Sequence, residues 1–314
     1  MLEKTTLALL EQQLKAYDVA FELIQNSEWM PEYKFASIKQ VIPNGIYFFE
    51  SVSIVNNYPI ANSIIIASEK FETTNNLLIV EQPQLVHYLL NAAINTVQLV
   101  GISASAKIDS RASIGKDVYI GEHCVIGNCV IGDRVVIKHN VVIEDNVTVH
   151  QNTFIDSNSV IGAGGLAWIW DAKGNRIIQP QLGGVVIGED CVLATDVTVV
   201  RGSLSENTLI GKGTVIAHGT KIGHGTIIKD HVHMANNVSL AGNSYIGERT
   251  FLGSACVVSS NVRVADNCIV GAGAVVNKSV EEHFVTLAGV PAKIIKRANY
   301  EGKPNGAPKP FKQN

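Results

Sequence analysis

Two histidines in the second half of the chain occupy equivalent positions in consecutive six-residue segments. They are His218 and His224, and each comes two residues after an isoleucine. If eighteen residues make one turn of a coil, Asn236 lies beside His218 and Gly242 lies beside His224. A histidine next to an accessible glycine amide provides a general base and an oxyanion donor, which suits acyl transfer to an amine. The alternative is that both histidines are merely exposed polar residues at a corner.

The element that must position these side chains is a run of six-residue repeats between residues 210 and 277. An aliphatic residue recurs at every sixth position, and the next residue is usually Gly or Ala. A strand alternates every two residues and a helix every 3.6, so neither explains a strict period of six. Three repeats form one triangular coil with the aliphatic side chains inside, which predicts a left-handed parallel β-helix. The aliphatic positions are Ile210, Ile216, Ile222, Ile228, Met234, Leu240, Ile246, Leu252, Val258, Val264, Val270 and Val276.

The same period extends back to Ile108, with three irregularities. One interval, Ile126 to Ile131, is five residues long, so a single deletion must be absorbed at a corner. Excursions at 163–186 and 201–209 interrupt the repeats. We therefore assign the β-helix to residues 101–297, with about eight coils in all.

The longer excursion contains two of the three tryptophans, Trp168 and Trp170, and a turn signal at Lys173-Gly174-Asn175. Long loops in a regular solenoid tend to be functional. The sequence is compatible with two roles for this loop. The loop covers the acyl or sugar pocket, or it is pinned to a neighbouring subunit.

Residues 1–100 predict a small α/β domain in front of the solenoid. Residues 1 to about 30 carry a helix-like pattern, and a second helix is expected at 83–94. Short apolar runs between them, broken by Asn, Pro and Ser, read as strands. Phe48 and Phe49 would point to opposite sides of one strand, so one of the pair should be buried. Beyond the solenoid, residues 298–314 are rich in Pro, Gly and Lys and predict a flexible tail.

Composition restricts the class of protein. Only 17% of the 314 residues are charged and the net charge is −3, so the chain has no electrostatic footprint for nucleic acid. The five cysteines have no Cys-x-x-Cys spacing, and an odd number fits a reducing compartment. No apolar run reaches about 18 residues, and the N-terminus has no signal-like pattern. We expect a cytoplasmic protein without a membrane span.

A histidine metal site is a further possibility, because His231 and His233 follow His218 and His224 closely. Some hexapeptide-repeat proteins are zinc carbonic anhydrases with three histidine ligands. Here the four histidines fall at dissimilar positions within their repeats, and no three-ligand geometry emerges. We therefore predict no metal site and no bound cofactor.

Several motifs outside the repeats resemble the left-handed β-helix acyltransferases, in particular the UDP-3-O-acylglucosamine N-acyltransferases of lipid A synthesis. Residues 43–49 and 76–83 are similar to the nucleotide-binding domain of that family. Residues 179–184 resemble its Pro-Gln-Leu-Gly-Gly stretch, and residues 201–204 resemble its Arg-Gly-Ala-Leu stretch. The family's Ile-Ala-His, which carries the catalytic base, corresponds to residues 222–224. The resemblance implies a homotrimer with active sites in clefts between neighbouring prisms.

The chain also departs from that family. The second uridine-stacking aromatic falls near Ile54, the Asp before Arg-Gly is Val200, and a further active-site His is Asn261. The family's C-terminal helices, which help to hold the acyl carrier protein, have no counterpart. In their place, residues 289–293 (Gly-Val-Pro-Ala-Lys) resemble the ending of coenzyme A-dependent sugar acetyltransferases.

The resemblances together imply a nucleotide-sugar N-acyltransferase that uses acyl-CoA as co-substrate. His224 would be the base and Gly242 the oxyanion donor, whereas an acyl carrier protein donor or a non-catalytic scaffold are the alternatives. A nucleotide-linked amino sugar, such as a dTDP-3-amino-3,6-dideoxyhexose for surface polysaccharide, would be the acceptor. The substrate-binding residues would be Phe48, His218, Asn236, Asn237, Trp168 and Trp170. The CoA-binding residues would be Gly289, Lys293, Lys296 and Arg297, where the alternative for the three basic residues is a solvated terminus.

Overall fold

A computed structural model describes residues 4–95 and 99–298. The chain divides into two compact units, Met1–Gln98 and Leu99–Asn314. The tail predicted at 298–314 lies outside the described residues, apart from Ala298.

The first unit is a small α/β domain. Its elements are α1 (Leu7–Ala16), β1 (Glu22–Ile24), β2 (Lys34–Phe35), β3 (Gly45–Phe48), a 3-10 helix (Val52–Asn57), β4 (Ile64–Ala67), β5 (Asn76–Ile79) and α2 (Pro83–Asn95). The five strands form one sheet in the order β1-β5-β4-β3-β2. Strand β1 pairs antiparallel with β5, and the other described pairs are parallel.

The sheet of this unit is covered on both sides, which explains its nearly continuous apolar strands. Leu10 and Leu14 of α1 and Leu90 of α2 pack on one side, and Val55 of the 3-10 helix packs on the other. The expectation that residues 1 to about 30 form one helical region is wrong beyond Ala16. After α1 the chain reverses at a residue with positive φ, Asp18. The following apolar residues enter β1, where pairing with β5 leaves Leu23 and Ile24 half-buried.

The second unit is a parallel β-helix with three faces, as the period of six predicts. Within the described residues its sheets contain eleven, nine and eight strands. Face 1 comprises Gly101–Ile102, Tyr119–Ile120, Val136–Ile137, Phe154–Ile155, Val192–Leu193, Val215–Ile216, His233–Met234, Phe251–Leu252, Ile269–Val270, Val285–Ala288 and Lys293–Arg297. Face 2 comprises Lys107–Ile108, Val125–Ile126, Val142–Ile143, Val160–Ala163, Thr198–Val200, Lys221–Ile222, Ser239–Leu240, Val257–Val258 and Val275–Val276. Face 3 comprises Ser113–Ile114, Val130–Ile131, Val147–Val149, Gly184–Ile187, Asn207–Ile210, Ile227–Ile228, Tyr245–Ile246 and Arg263–Val264.

The aliphatic repeat residues form the core of this solenoid. All twelve positions of the main run are buried, from Ile210 to Val276. The parallel register pairs each one with its equivalent in the next coil, as in Ile222 with Leu240. The five-residue interval is absorbed between faces 2 and 3, because Ile126 still pairs with Ile143, and Ile131 still pairs with Ile114. The prediction of a corner deletion is confirmed.

Both excursions leave the solenoid at the corner between face 2 and face 3. The first forms an antiparallel hairpin, Ala167–Trp170 with Arg176–Gln179, which we call the Trp hairpin. The second is a short loop, Arg201 to Glu206, between strands of face 2 and face 3. The corner that carries both insertions is therefore the irregular edge of the prism.

Candidate functional site

The two histidines selected from the sequence lie at different corners of the coil. His218 lies between face 1 and face 2, and His224 lies between face 2 and face 3. Three repeats complete one coil, so consecutive repeats turn consecutive corners. Equivalent positions in neighbouring repeats are therefore not neighbours in space, and the structure does not bring His218 and His224 together within one chain.

His224 and Gly242 are brought together, as the spacing of eighteen predicts. The amide of Asn243 donates to the carbonyl of His224 at 2.7 Å, which fixes the stacking of the two coils. A Cβ atom at position 242 would lie only 2.3 Å from Nε2 of His224. A larger side chain at this position would have to displace the imidazole ring, which occupies the space beside the Gly242 backbone. Among the described residues, no hydrogen bond engages the Gly242 amide or Nε2 of His224.

The other ring nitrogen of His224 has a partner that the sequence did not suggest. Oγ of Ser203 lies 3.0 Å from Nδ1 of His224. Ser203 belongs to the loop of the second excursion, one coil before His224 on the same corner. The ring is therefore held at Nδ1, while Nε2 lies against Gly242.

Glu206 stabilises the turn of this loop at Ser203. Its carboxylate accepts hydrogen bonds from the amides of Ser203 at 2.6 Å and Leu204 at 3.1 Å. Hydrogen bonds from its own amide and from those two amides lower the pKa of Glu206, and the nearby His224 contributes in the same direction. The turn therefore presents Ser203 to the histidine and places a carboxylate close by.

The two non-repeat motifs that resemble the acyltransferases lie against each other in this loop. The amide of Leu182 donates to the carbonyl of Ser203, and the amide of Gly183 donates to that of Gly202. A Cβ at Gly183 would lie 2.1 Å from the Glu206 carbonyl oxygen, and a Cβ at Gly202 would lie closer still. Both positions require glycine, because the backbones approach too closely for any side chain.

Arg201 fastens the base of both excursions to the preceding coils. Its Nε donates to the carbonyl of Gly162 and its Nη2 to the carbonyl of Asp145, both at 2.8 Å. A cavity of ≈ 400 Å³ opens beside it, lined among others by Glu144, Ile178 and Gln181. This cavity is two to three coils before His224 on the same corner.

His218 is exposed and has a hydrogen-bonding arrangement similar to that of His224. Its Nδ1 lies 2.8 Å from Oγ1 of Thr195, and its carbonyl accepts from the amide of Asn237. Asn236 and Asn237 are both exposed at this corner, one coil further along. The predicted neighbourhood of His218, Asn236 and Asn237 is therefore present, but at a different corner from the pair of His224 and Gly242.

The remaining histidines of the metal hypothesis are spread around the coil. His231 lies at the corner between face 3 and face 1, and His233 points outward from face 1 beside the ring of Phe251. In the part of the chain that the structure describes, no three His, Cys, Asp or Glu side chains are gathered for a metal ion.

The cysteines are core residues rather than nucleophiles. All five are buried and unpaired. Burial raises the pKa of Cys256 to about 12 and that of Cys191 to about 11. A thiol with so high a pKa is poorly suited to attack a thioester near neutral pH.

Phe48 in the first unit is half-buried, and its neighbour Phe49 is fully buried on the other side of the sheet, as predicted for a strand. The ring of Phe48 packs 5.0 Å from His87 and 6.4 Å from Tyr88 of α2. The cavity described in this unit, ≈ 320 Å³, is lined by Tyr58, Ile60 and Thr73, among others. These residues lie on the Phe49 side, so Phe48 does not line that cavity.

The Trp hairpin exposes apolar side chains on both of its faces. Trp168 and Trp170 are 50% and 58% exposed, with ring centroids 5.3 Å apart, and share one face with Ile178. Ile169 and Ile177 form the opposite face. The hairpin leaves the solenoid two coils before His224 on the same corner, roughly 10 Å away along the axis.

The C-terminal segment 285–297 closes face 1 as an antiparallel pair of strands. Gly289, with φ +97°, turns between them, and its carbonyl accepts from the amide of Val275 at 3.0 Å. Lys293 and Lys296 are exposed, whereas the guanidinium of Arg297 is paired with Glu282. Of the three basic residues, only the two lysines lack a carboxylate partner among the described residues.

Sequence reasoning missed Ser203 and Glu206 as parts of the site. Ser203 stands at the alanine position of the Arg-Gly-Ala-Leu stretch, and this difference was the available signal. Val200, at the position of that family's Asp, has no polar side-chain atom. Asn261, at the position of its further His, lies on the next coil of the same corner, where its amide donates to the Gly242 carbonyl at 3.1 Å.

Comparison with known proteins agrees with this architecture. The model of the bacterial transferase hexapeptide (six repeats) matches residues 128–163 and 243–278. UDP-3-O-acylglucosamine N-acyltransferase of Coxiella burnetii is 44% identical over 54 residues, which are 17% of this chain and 16% of that protein. The enzyme of the same name from Xanthomonas oryzae pv. oryzae is 48% identical over 50 residues, which are 16% and 14% of the two chains. The chain thus spans about one sixth of the length of the curated relatives it matches.

Solved structures resemble a larger part of the chain. UDP-N-acetylglucosamine O-acyltransferase of Moraxella catarrhalis RH4 superposes with a TM-score of 0.56 at 26% identity, over 62% of this chain and 73% of that one. LpxA of Acinetobacter baumannii gives the same values. The predicted left-handed parallel β-helix and the resemblance to left-handed β-helix acyltransferases are confirmed. As for the predicted lack of a membrane span, neither helix in the described ranges has the length and apolarity needed to cross a bilayer.

Proposed function

We propose that the protein is an N-acyltransferase that moves a short acyl group, acetyl or 3-hydroxyacyl, from acyl-CoA to the amine of a nucleotide-linked amino sugar. The observation that carries this proposal is the pair of His224 and Gly242, in which Nε2 of the imidazole lies against a residue without a side chain. A base beside a backbone amide is the equipment that thioester aminolysis needs. The relatives and solved structures, whose names describe acyl transfer to UDP-sugars, support the same class of reaction.

The reaction would proceed through a tetrahedral intermediate. The sugar amine attacks the thioester carbonyl, and Nε2 of His224 takes the proton that the nitrogen loses. The Gly242 amide stabilises the oxyanion that develops on the carbonyl oxygen. Collapse of the intermediate breaks the C–S bond, and the imidazolium returns its proton to the departing thiolate, so the products are an amide and free CoA.

The proposed donor rests on the C-terminal segment. Its Gly289 turn extends the ladder of face 2, and Lys293 and Lys296 are free to meet CoA phosphates. Arg297 is a weaker candidate than the sequence predicts, because its guanidinium is already paired with Glu282. Lys293 and Lys296 would then provide most of the positive charge that binds the CoA phosphates.

The proposed acceptor is a nucleotide-linked amino sugar such as a dTDP-3-amino-3,6-dideoxyhexose, for surface polysaccharide. Phe48 would stack on the nucleotide base. His218, Asn236 and Asn237 of a neighbouring chain in a homotrimer would orient the sugar or the catalytic base. That assembly is part of the proposal, because these residues and His224 occupy different corners of one prism.

A second candidate is the lipid A reaction, in which an acyl carrier protein donates a hydroxyacyl chain to UDP-3-O-acylglucosamine. The segments of 44% and 48% identity to enzymes of that name favour it. A non-catalytic hexapeptide-repeat scaffold is the remaining alternative, and it predicts no turnover with any thioester.

The decisive experiment measures thiol release from acetyl-CoA and 3-hydroxybutyryl-CoA with a dTDP-3-amino-3,6-dideoxyhexose as acceptor. We expect turnover by the wild type and a loss of about 10²- to 10⁴-fold in His224→Ala. His150→Ala, an exposed histidine at another corner, is the matched control and should be unchanged. Turnover only with acyl carrier protein thioesters and UDP-3-O-acylglucosamine would overturn the proposed donor and acceptor in favour of the lipid A reaction.

The donor class can be tested separately with the lysines. Lys293→Ala combined with Lys296→Ala should raise KM for acyl-CoA but leave KM for the matching acyl-pantetheine, which lacks the nucleotide phosphates, unchanged. An equal effect on both donors would contradict phosphate recognition by these residues.

A further inference from the structure

The orientation of a histidine base depends on what its second ring nitrogen contacts. A neutral imidazole carries one proton, which resides on Nδ1 or on Nε2. Only the form with the proton on Nδ1 leaves Nε2 free to accept a proton. At His224 the group that faces Nδ1 is the hydroxyl of Ser203, 3.0 Å away.

The position of Ser203 is determined by its surroundings. Glu206 binds the amides of Ser203 and Leu204, and the Leu182 amide binds the Ser203 carbonyl. The backbone of Gly202 lies so close to the Glu206 carbonyl that no side chain fits between them. The hydroxyl is therefore presented by a braced turn rather than by a free side chain.

Glu206 also adds charge to the arrangement. The carboxylate is held ionised by the three amides, and it interacts favourably with His224 when the imidazole is protonated. An imidazolium forms transiently when Nε2 accepts the amine proton, so a fixed negative group nearby favours the transition state. The side chain is exposed, so solvent screens this attraction and the hydroxyl contact is the more important of the two.

His218 provides an internal comparison. Its Nδ1 also meets a hydroxyl, that of Thr195. No glycine clears space for its Nε2, however, because the residue one coil further on is Asn236. Each histidine therefore has a hydroxyl group at Nδ1. Of the two, only His224 also has a backbone amide with no partner among the described residues, that of Gly242, beside Nε2 and the carboxylate of Glu206 nearby.

We infer that Ser203 is a positioning residue: its hydroxyl oxygen accepts a hydrogen bond from Nδ1–H of His224, which leaves Nε2 as the base, and Glu206 holds Ser203 in place. The assignment rests on the proposed function for its catalytic consequence, but the tautomer of His224 is a property of the folded chain alone.

The test uses histidine labelled with ¹⁵N in the full-length protein, where the nitrogen shifts report which ring atom carries the proton. Wild type should show His224 protonated on Nδ1, with the resonance assigned by its loss in His224→Gln. Ser203→Ala should move His224 toward the tautomer protonated on Nε2, and Ser203→Thr should restore the wild-type pattern. Thr195→Ala should change the signal of His218 and leave that of His224 unaltered.

Turnover provides the second measurement. Ser203→Ala should lower kcat by about 10- to 10²-fold with little change in KM for the thioester, and Ser203→Thr should recover most of it. Glu206→Gln should give a smaller loss of kcat in the same direction. Unchanged tautomers and unchanged kcat in Ser203→Ala would overturn the inference.

The two proposals can fail independently. If the wild type releases no thiol from any donor, the proposed function fails, whereas the tautomer measurement still decides the role of Ser203. If Ser203→Ala fails to fold, judged by its circular dichroism, the intact Ser203→Thr and Glu206→Gln variants carry the test. A wild-type tautomer and a wild-type kcat in Glu206→Gln would then count against Glu206 as the brace.

Discussion

At position 242 the identity of the residue is determined by a contact rather than by backbone conformation. Gly242 is not among the residues with positive φ, unlike Gly219 and Gly225 in the preceding coil. A side chain at position 242 would collide with the imidazole of His224, which lies where a Cβ atom would be. The pair is therefore one unit, in which a change at either residue disturbs the other.

Gly242→Ala should uncouple this unit without unfolding the coil. The added methyl group would lie 2.3 Å from Nε2, so the ring must rotate away from Ser203 and from the open amide. We expect a loss of about 10²-fold in kcat, because a displacement of about 1 Å costs that much in oriented reactions.

Gly164→Ala is the matched control, since a Cβ there meets nothing within 4 Å and the residue does not have positive φ. Steady-state kinetics and circular dichroism of both variants check the prediction. Full activity in Gly242→Ala would show that the histidine does not work from this position.

A second prediction at the residue scale concerns His87, which is buried against the rings of Phe35 and Phe48 in the first unit. Burial lowers the pKa of His87, opposed in part by the Ile46 backbone. Between the pKa of His87 in the folded chain and its ordinary value of 6.5, the unfolded chain binds more protons than the folded chain. Stability of this unit is therefore fully present above about pH 6.5 and is lost as pH falls through the folded pKa.

Hydrogen exchange at Ile64–Ala67, the central strand β4, should report this loss between about pH 7.5 and 5 after correction for the intrinsic exchange rate. His87→Phe removes the titrating group and should make the local stability nearly independent of pH in that range. An equal pH dependence in the variant and the wild type would assign the effect to other groups.

At the scale of elements, the corner between faces 2 and 3 carries the departures from the repeat between residues 108 and 276. The Trp hairpin, the Arg201 to Glu206 loop and the five-residue interval all occur there. The other corners are regular ladders, in which a side chain of one coil caps an amide of the previous one, as Asp230 caps Lys212. Insertions at one edge leave the aliphatic core undisturbed, because they begin and end at the same corner.

Arg201→Lys tests how this edge is held together. Lysine has no planar fork and cannot reach the carbonyls of Gly162 and Asp145 together in the same geometry. We expect faster hydrogen exchange across residues 163–183 and a lower kcat, because Ser203 is two residues away.

Arg176→Lys, on the exposed outer strand of the Trp hairpin, is the control that should leave both measurements unchanged. Protection in Arg201→Lys equal to the wild type would mean that the loops are held by other contacts.

At the scale of the whole molecule, the separation of the two histidines determines what an assembly must do. His218 and His224 occupy adjacent corners of a single prism, so they can line one cleft only if two chains contribute to it. The apolar faces of the Trp hairpin, exposed in the single chain, would be covered in such an assembly or over a bound acyl group. For the proposed homotrimer, light scattering should show three chains per particle.

Mixed trimers test this arrangement directly. His218→Ala and His224→Ala should each be nearly inactive alone. Refolded together in equal amounts, they should regain roughly a quarter of wild-type activity, because random assembly pairs the two intact histidines at that fraction of the clefts. The controls are each variant refolded alone. No recovery in the mixture would remove His218 from the active cleft.

The sequence alone determined the solenoid, its core and the meeting of His224 with Gly242. These features depend on spacing, because a period of six places every aliphatic residue inside and every eighteenth residue in register. A local pattern can therefore be converted into contacts by counting along the chain. The same reasoning found the corner deletion at Ile126 to Ile131.

Only the tertiary structure decided what holds the ring of His224. Ser203 and Glu206 belong to an insertion without periodicity, and their contacts with His224 depend on how that loop folds. The helix predicted before residue 30 likewise depends on distant contacts. It ends at Ala16, because the residues of β1 pair with β5 instead of continuing the helix.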